Sequence, residues 1–94
     1  MADITLQTKI SQTEGVLSSA IDDDMILMSM EEDKYFGLNH VSRVIWEAIA
    51  TPIAIKDVCD ILLGQFDIDE KSCQEQVLSY VGQLAEARLV QIHS

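Results

Sequence analysis

The chain has 94 residues, of which 16 are acidic and 6 are basic, giving a formal net charge of −10. This length predicts one domain covering residues 1–94. So acidic a chain lacks the cationic surface with which proteins bind nucleic-acid phosphates or anionic lipids, and a basic or neutral peptide or protein is the favoured partner. The sequence has no apolar run long enough to span a membrane and no secretory signal at its start, so we expect a cytoplasmic protein.

Short strands are predicted for the first forty residues, where apolar and polar residues alternate. The expected strands are residues 4–10, Val16–Ile21, a strand beginning at Met25, and Lys34–Leu38. Polar breaks at residues 11–15, 22–24 and 31–33 separate them. Because successive hairpins place sequence neighbours side by side, we expect one antiparallel meander of three or four strands, with Lys34–Leu38 at its edge.

Three helices follow in the predicted order of elements. They are expected over residues 40–50, 56–65 and 70–87, with a short apolar link at 53–55 and a strand at 89–93. Asn39 and Asp69 are suited to cap the first and third helices, and Gly64 is a stop signal near the end of the second. Pro52 stops the first helix, since the residue before a proline is pushed out of helical conformation.

Strands followed by helices predict the α+β class. Three helices joined by short connections beside a small sheet resemble a winged helix-turn-helix, with N-terminal antiparallel strands and a short C-terminal strand. That fold usually binds DNA, but the net charge argues against this use here. A DNA-binding regulator therefore stays an alternative.

The sequence contains no recognisable catalytic constellation. His40 and His93 lie far apart, and Cys59 and Cys73 have neither a metal-ligand spacing nor a nearby base. We interpret both cysteines as reduced, partly buried thiols, and the acidic clusters as solvated turns. We therefore expect no catalytic residue, no metal and no cofactor.

A recognition surface is the remaining candidate. An edge strand at Lys34–Leu38 presents unpaired backbone groups to which an extended peptide can add as a further strand. The third helix can form the opposite wall, with Val77 and Tyr80 apolar, and Gln76 and Gln83 polar. A purely structural role in the core is the alternative for Val77. Tyr80 is the better candidate for contact, because its hydroxyl prefers a wet or hydrogen-bonded end.

The segment KYFGLN at residues 34–39, with Ile45-Trp46-Glu47 in the following helix, resembles the PqqD-like family of small peptide-binding proteins. The resemblance covers residues 16–92. The other residues at matching places are Pro52, Val58, Phe66, Asp69, Leu84, Leu89 and Val90. Members of this family are recognition elements for ribosomally synthesised and post-translationally modified peptides (RiPPs). They bind the leader segment of the precursor peptide and present it to modifying enzymes.

The resemblance implies a leader-binding groove between the strand Lys34–Leu38 and the third helix. The implied strand contacts are Lys34, Tyr35, Phe36, Gly37 and Leu38, and the implied helix contacts are Cys73, Gln76, Val77, Tyr80 and Gln83. Many relatives carry an acidic residue where Gln76 stands, which weakens any expectation of a salt bridge to a leader cation. Many carry a glycine where Arg88 stands, which predicts a slightly different helix ending.

The resemblance predicts a stand-alone, non-catalytic protein that recognises a leader peptide by strand addition. The segment SMEEDKYFGL is most similar to the discrete leader-binding proteins of lasso-peptide biosynthesis, whose partners are a leader peptidase and a cyclase. The alternatives are a peptide chaperone for a PQQ-type or other radical enzyme, and a subunit that stabilises a partner enzyme. An exposed strand edge also permits a homodimer.

Overall fold

The computed structural model describes residues 4–22, 24–31 and 33–93, and these residues follow the predicted α+β order. The strands are β1 (Lys9–Gln12), β2 (Val16–Ile21), β3 (Asp24–Ser29), β4 (Lys34–Leu38), β5 (Ile53–Ala54) and β6 (Val90–His93). The helices are α1 (His40–Ala48), α2 (Ile55–Gln65) and α3 (Glu70–Glu86). None of the helices among these residues is long and apolar enough to cross a membrane.

The described strands form two three-stranded antiparallel sheets. The order β2-β3-β4 is the predicted meander, and its register pairs Leu27 with Phe36 and Met25 with Leu38. The first strand does not join it, so the prediction of one meander is wrong at this point. Instead β1 lies between β5 and β6 in a separate sheet, because its backbone pairs with segments much later in the chain.

The first strand also begins later than predicted. Residues 4–8 are not a strand, because the Thr8 amide donates to the Thr5 carbonyl at 3.1 Å and the Thr5 amide donates to the Thr8 hydroxyl at 2.9 Å. Such local side-chain hydrogen bonds compete with strand pairing. Ser11 and Gln12, predicted as a polar break, are strand residues. Ser11 is buried, and its hydroxyl hydrogen-bonds His93 Nε2 at 2.7 Å.

Side-chain caps begin two helices as predicted. Asn39 Oδ1 accepts from the Ser42 amide at 2.9 Å, and Asp69 Oδ2 accepts from the Ser72 amide at 2.9 Å. Residues 53–55 are not a simple link, because Ile53–Ala54 pairs with β1 and α2 starts directly afterwards. The helix α2 ends at Gln65, as predicted, and Phe66 then takes an extended backbone conformation.

The end of α3 differs from a further expectation. Arg88 adopts a left-handed backbone with φ of 61°. Its amide donates to the Ala85 carbonyl at 3.1 Å, and the Leu89 amide donates to the Leu84 carbonyl at 2.9 Å. These two bonds define a Schellman motif, the ending that a glycine favours. The helix ending is therefore the usual one, made here by an arginine.

One cluster of buried apolar side chains connects both sheets to the three helices. Its fully buried members are Ile10, Leu27, Ile49, Ile55, Val58, Cys73, Val77, Val81 and Leu89. The meander is held to α1 by Leu27 in this core and by a hydrogen bond from Arg43 Nη1 to the Asp22 carbonyl at 3.1 Å. These contacts fix β4 opposite α3.

Candidate functional site

The strand β4 lies at the edge of its sheet, as the sequence predicted. Among the described residues β3 is its only strand neighbour. Leu38 is buried and Phe36 is half-buried on the core side, whereas Tyr35 is 70% exposed on the other face. The backbone groups along the outer side of β4 are therefore available to another extended chain.

A groove of about 340 Å³ separates the β4 edge from α3. Its lining comes from β4, from the second half of α3 and from the residue that precedes β6. These residues are Tyr35, Phe36, Gly37, Leu38, Tyr80, Gln83, Leu84, Ala87 and Leu89. Six of them belong to the set predicted from the sequence. Leu84 and Ala87 were missed, although they follow Tyr80 at helical spacing and that spacing could have identified them.

A second cavity, of about 270 Å³, lies under α1 and shares Tyr80 with the groove. Its lining residues are Asn39, Val41, Ser42, Ile45, Leu62, Phe66, Ile68, Cys73, Gln76, Val77 and Tyr80. The predicted residues Cys73, Gln76 and Val77 therefore line this cavity rather than the groove. Lys34 lines neither space and is exposed at the start of β4. The contribution of α1 was missed, since nothing local in its sequence indicates proximity to α3.

Cys73 and Val77 are each 1% exposed, so they belong to the core as well as to the cavity wall. A bound peptide can meet them only through the cavity. Gln76 and Gln83 are exposed on α3, where their amides can bond a backbone or a side chain.

Tyr80 is the residue that joins the two spaces. Its hydroxyl is buried, and the Ser42 side chain is its polar neighbour among the described residues. Burial raises the pKa of Tyr80, and the Ser42 side chain partly offsets that effect. Tyr80 is thus a neutral hydroxyl at physiological pH, able to donate and to accept.

The two cysteines are buried free thiols on α2 and α3. Cys73 Sγ donates to the Cys59 carbonyl at 3.7 Å. Burial raises the pKa of the Cys59 thiol to about 11 and also raises the pKa of Cys73. Protonated, enclosed thiols are poor nucleophiles. In the part of the chain that the structure describes, no group of three or more His, Cys, Asp or Glu side chains is arranged to hold a metal ion.

The face of the meander that points away from the core carries exposed apolar side chains, which sequence reasoning missed. Leu17 is 53%, Ile21 is 54% and Ile26 is 37% exposed, and Tyr35 lies beside them. A one-sided antiparallel sheet normally shows polar residues on its outer face. The signal was present in β2, where Val16 and Leu17 place apolar side chains on both faces.

A small α+β fold with a free sheet edge and an adjoining groove has the geometry of a class of domains that can accept an extended peptide as an added strand, and a net charge of −10 disfavours nucleic acid. Comparison with known proteins identifies the particular family within this class. Residues 24–90 match the family described as coenzyme PQQ synthesis protein D (PqqD), and the chain belongs to that family. No curated protein matches the chain significantly.

Two solved structures share the fold. One is described as TbiB1 in complex with the TbiA(beta) leader peptide. It has a TM-score of 0.80 and 22% identity, over 86% of this chain and 94% of that one. The other is described as lasso peptide synthetase B1 complexed with the leader peptide. It has a TM-score of 0.77 and 16% identity, over 87% of this chain and 96% of that one.

Proposed function

We propose that the protein is a non-catalytic recognition element that captures the leader segment of a ribosomally made precursor peptide. The leader pairs with β4 as an added strand and lies against α3. The observation that carries this proposal is the free β4 edge, which faces a groove of about 340 Å³. Backbone bonds along the edge supply affinity, and the apolar groove supplies sequence preference.

Lasso-peptide biosynthesis is the favoured pathway. The two similar structures described above are complexes with leader peptides, and one is described as a lasso peptide synthetase. A role as a peptide chaperone in PQQ-type maturation is the second candidate, because the matching family is described by coenzyme PQQ synthesis. A ribosomal precursor is met where it is translated, so the proposal includes a cytoplasmic location.

A fluorescence-anisotropy titration tests leader capture. The probe is the labelled leader half of the precursor peptide encoded beside the gene, and a scrambled leader of equal composition is the control. Saturable binding of the true leader alone supports the proposal. If neither peptide binds, leader capture is contradicted, the partner-stabilising subunit becomes the favoured alternative, and a pull-down of the neighbouring modifying enzymes tests it.

We further propose that the bound leader is delivered to a modifying enzyme, a leader peptidase in the lasso case, which docks on the outer face of the meander. Leu17, Ile21 and Ile26 expose apolar surface there, and such contiguous surface marks interaction sites. Tyr35 lies both on this face and in the groove, so a docked enzyme would sit beside the leader. Acidic residues at the ends of the face, Asp22 and Asp24 among them, would repel the same residues of a second copy of this chain. They favour instead a partner enzyme with a basic rim.

Substitution of Ile26 by serine separates delivery from capture. Ile26 lines no part of the groove, so leader affinity should be retained while co-purification with the peptidase and leader cleavage decrease. Ile61→Ser is the matched control, because Ile61 is similarly exposed but lies on α2. Equal loss in both variants, or no loss in either, would contradict docking on this face.

A further inference from the structure

The outer face of the meander has a hollow at Gly37 that the fold itself does not require. The backbone of Gly37 is not left-handed, and a Cβ atom there would meet no other part of the described chain within 4 Å. Glycine weakens the interior of a strand, and it often marks a place where a ligand or another chain approaches closely. The alternation of β4 puts Gly37 on the same face as Tyr35, away from the core. The missing side chain therefore leaves room for a group from outside the molecule.

This hollow has a volume of about 320 Å³ and extends over all three strands of the meander. The strand register pairs Ile26 with Gly37 and Ile21 with Asp24, so these four residues are neighbours on one face. The two isoleucines give it exposed apolar sides. The other lining residues are Met25, Leu38 and Asn39. Because the hollow extends from β4 over β3 to β2, away from the free sheet edge, it is open to a protein that docks on this face.

The charge of the hollow defines the chemistry of its occupant. Asp24 is the charged residue in its lining, and no salt bridge reaches this carboxylate within the part of the chain that the structure describes. The nearby cation Arg43 instead donates to the Asp22 carbonyl at 3.1 Å and pairs with Glu47 at 3.4 Å. A long basic side chain can lay its apolar stem along isoleucines and place its charge beside a carboxylate. An acidic side chain would be repelled by the same carboxylate.

We propose that this hollow anchors one lysine or arginine side chain of the enzyme that receives the bound leader. The stem of that side chain packs over Gly37 between Ile21 and Ile26, and its cationic end pairs with Asp24. This anchor rests on the proposed function, since it is the contact by which an enzyme docks on the outer face. Gly37 then serves two partners, because it lines the groove for the leader and leaves room on the outer face for the enzyme.

Opposite charges introduced at one position test the anchor. Ile21 lines the hollow, is 54% exposed and lies outside the groove. Ile21→Glu and Ile21→Lys lose the same apolar side chain but gain opposite charges. We expect the leader peptidase encoded beside the gene to bind Ile21→Glu about three- to tenfold more tightly than Ile21→Lys at low salt, and the difference to narrow at high salt. Asp24→Asn, which keeps the shape of the side chain and loses its charge, should weaken binding about threefold.

The matched control is the same pair of substitutions at Ile61, which is similarly exposed but lies on α2. Peptidase affinity should differ little between Ile61→Glu and Ile61→Lys. An equal ratio at both positions would show a general effect of net charge and would overturn the anchor. Equal affinity of the two Ile21 variants, or unchanged affinity of Asp24→Asn, would also overturn it.

The same titrations distinguish the anchor from the proposed function. If the wild-type protein binds the peptidase and the two Ile21 variants bind it equally, the anchor fails while delivery stands. If the wild-type protein does not bind the peptidase, delivery and the anchor fail together, and leader capture is judged separately by the anisotropy titration. A leader affinity that falls in Ile21→Lys in parallel with the peptidase affinity would place a leader side chain in the hollow and contradict an enzyme anchor.

Discussion

Tyr80 is the side chain on which leader affinity should depend most. It lines both the groove and the cavity, and truncation of a central aromatic side chain at a binding surface often costs tenfold or more in affinity. We therefore expect Tyr80→Ala to weaken leader binding in the anisotropy titration by at least tenfold. Ser79→Ala should bind like the wild type. Unchanged affinity in a Tyr80→Ala protein with a native circular dichroism spectrum would contradict the groove assignment.

Arg88 gives a prediction about stability that is independent of the site. Its left-handed backbone is unfavourable for residues with a Cβ atom and free of that cost for glycine. Arg88→Gly should therefore have a free energy of unfolding about 1 kcal/mol higher than Arg88→Ala. The comparison of these two variants cancels the interactions that the arginine side chain makes. Equal denaturation midpoints would show that the backbone at this position relaxes.

The buried thiols predict a loss of stability in alkali. Burial raises the pKa of Cys59 from 9.0 to about 11, so the unfolded chain releases this proton first as the pH rises. The unfolded state then binds fewer protons than the folded state, and stability falls between about pH 9 and pH 11. Urea unfolding at pH 8.0 to 10.5 measures this decline, which should be shallower in Cys59→Ala. Identical slopes for both proteins would be inconsistent with a buried, protonated thiol.

At the scale of elements, the start of α1 depends on its cap. Asn39 supplies the acceptor for the Ser42 amide, and replacement of such a cap by alanine costs about 1 kcal/mol. We expect Asn39→Ala to lower the free energy of unfolding by about that amount, whereas Asn39→Asp, which keeps an acceptor, should retain most of it. Chemical denaturation measures both values. Equal loss in the two variants would show that the side chain acts through the cavity wall and not through the cap.

Elements defined by local signals were predictable, and those defined by distant pairing were not. The meander hairpin at β3 and β4, the caps Asn39 and Asp69, and the stripe of α3 all depend on residues a few positions apart. The partners of β1 instead lie some 45 and 80 residues later in the chain. No periodicity in residues 4–12 indicates that pairing. The prediction therefore assigned the first strand to the wrong sheet and placed its start too early in the chain.

In the candidate site, too, the features set by local sequence were predictable and those set by tertiary packing were not. Six of the predicted residues line the groove. They could be predicted because they lie on β4 and α3, and each of these elements is recognisable from its local sequence pattern. The cavity was missed because its lining comes from α1, from the end of α2 and from α3, and the packing of these helices is not a property of any single segment. The exposed outer face of the meander was also missed, although apolar residues on both faces of β2 signalled it.

The whole molecule is strongly acidic, and its charge separates peptide recognition from DNA binding. Cations that displace counterions supply most of the affinity of DNA-binding proteins, and this chain has 6 against 16 acidic residues. We expect no retardation of a random DNA duplex in a gel-shift assay at low salt. Tight, salt-sensitive retardation would overturn the charge argument and favour the regulator alternative.

Hydrogen exchange at β4 tests the account's central claim most directly. Amide exchange of residues 34–38 would be measured by NMR in the free protein and with saturating leader peptide, with the scrambled leader as control. Strand addition predicts that the amides on the outer edge of β4 become protected only with the true leader, because they then donate to its backbone. Binding of the leader with protection elsewhere and none along β4 would contradict strand addition.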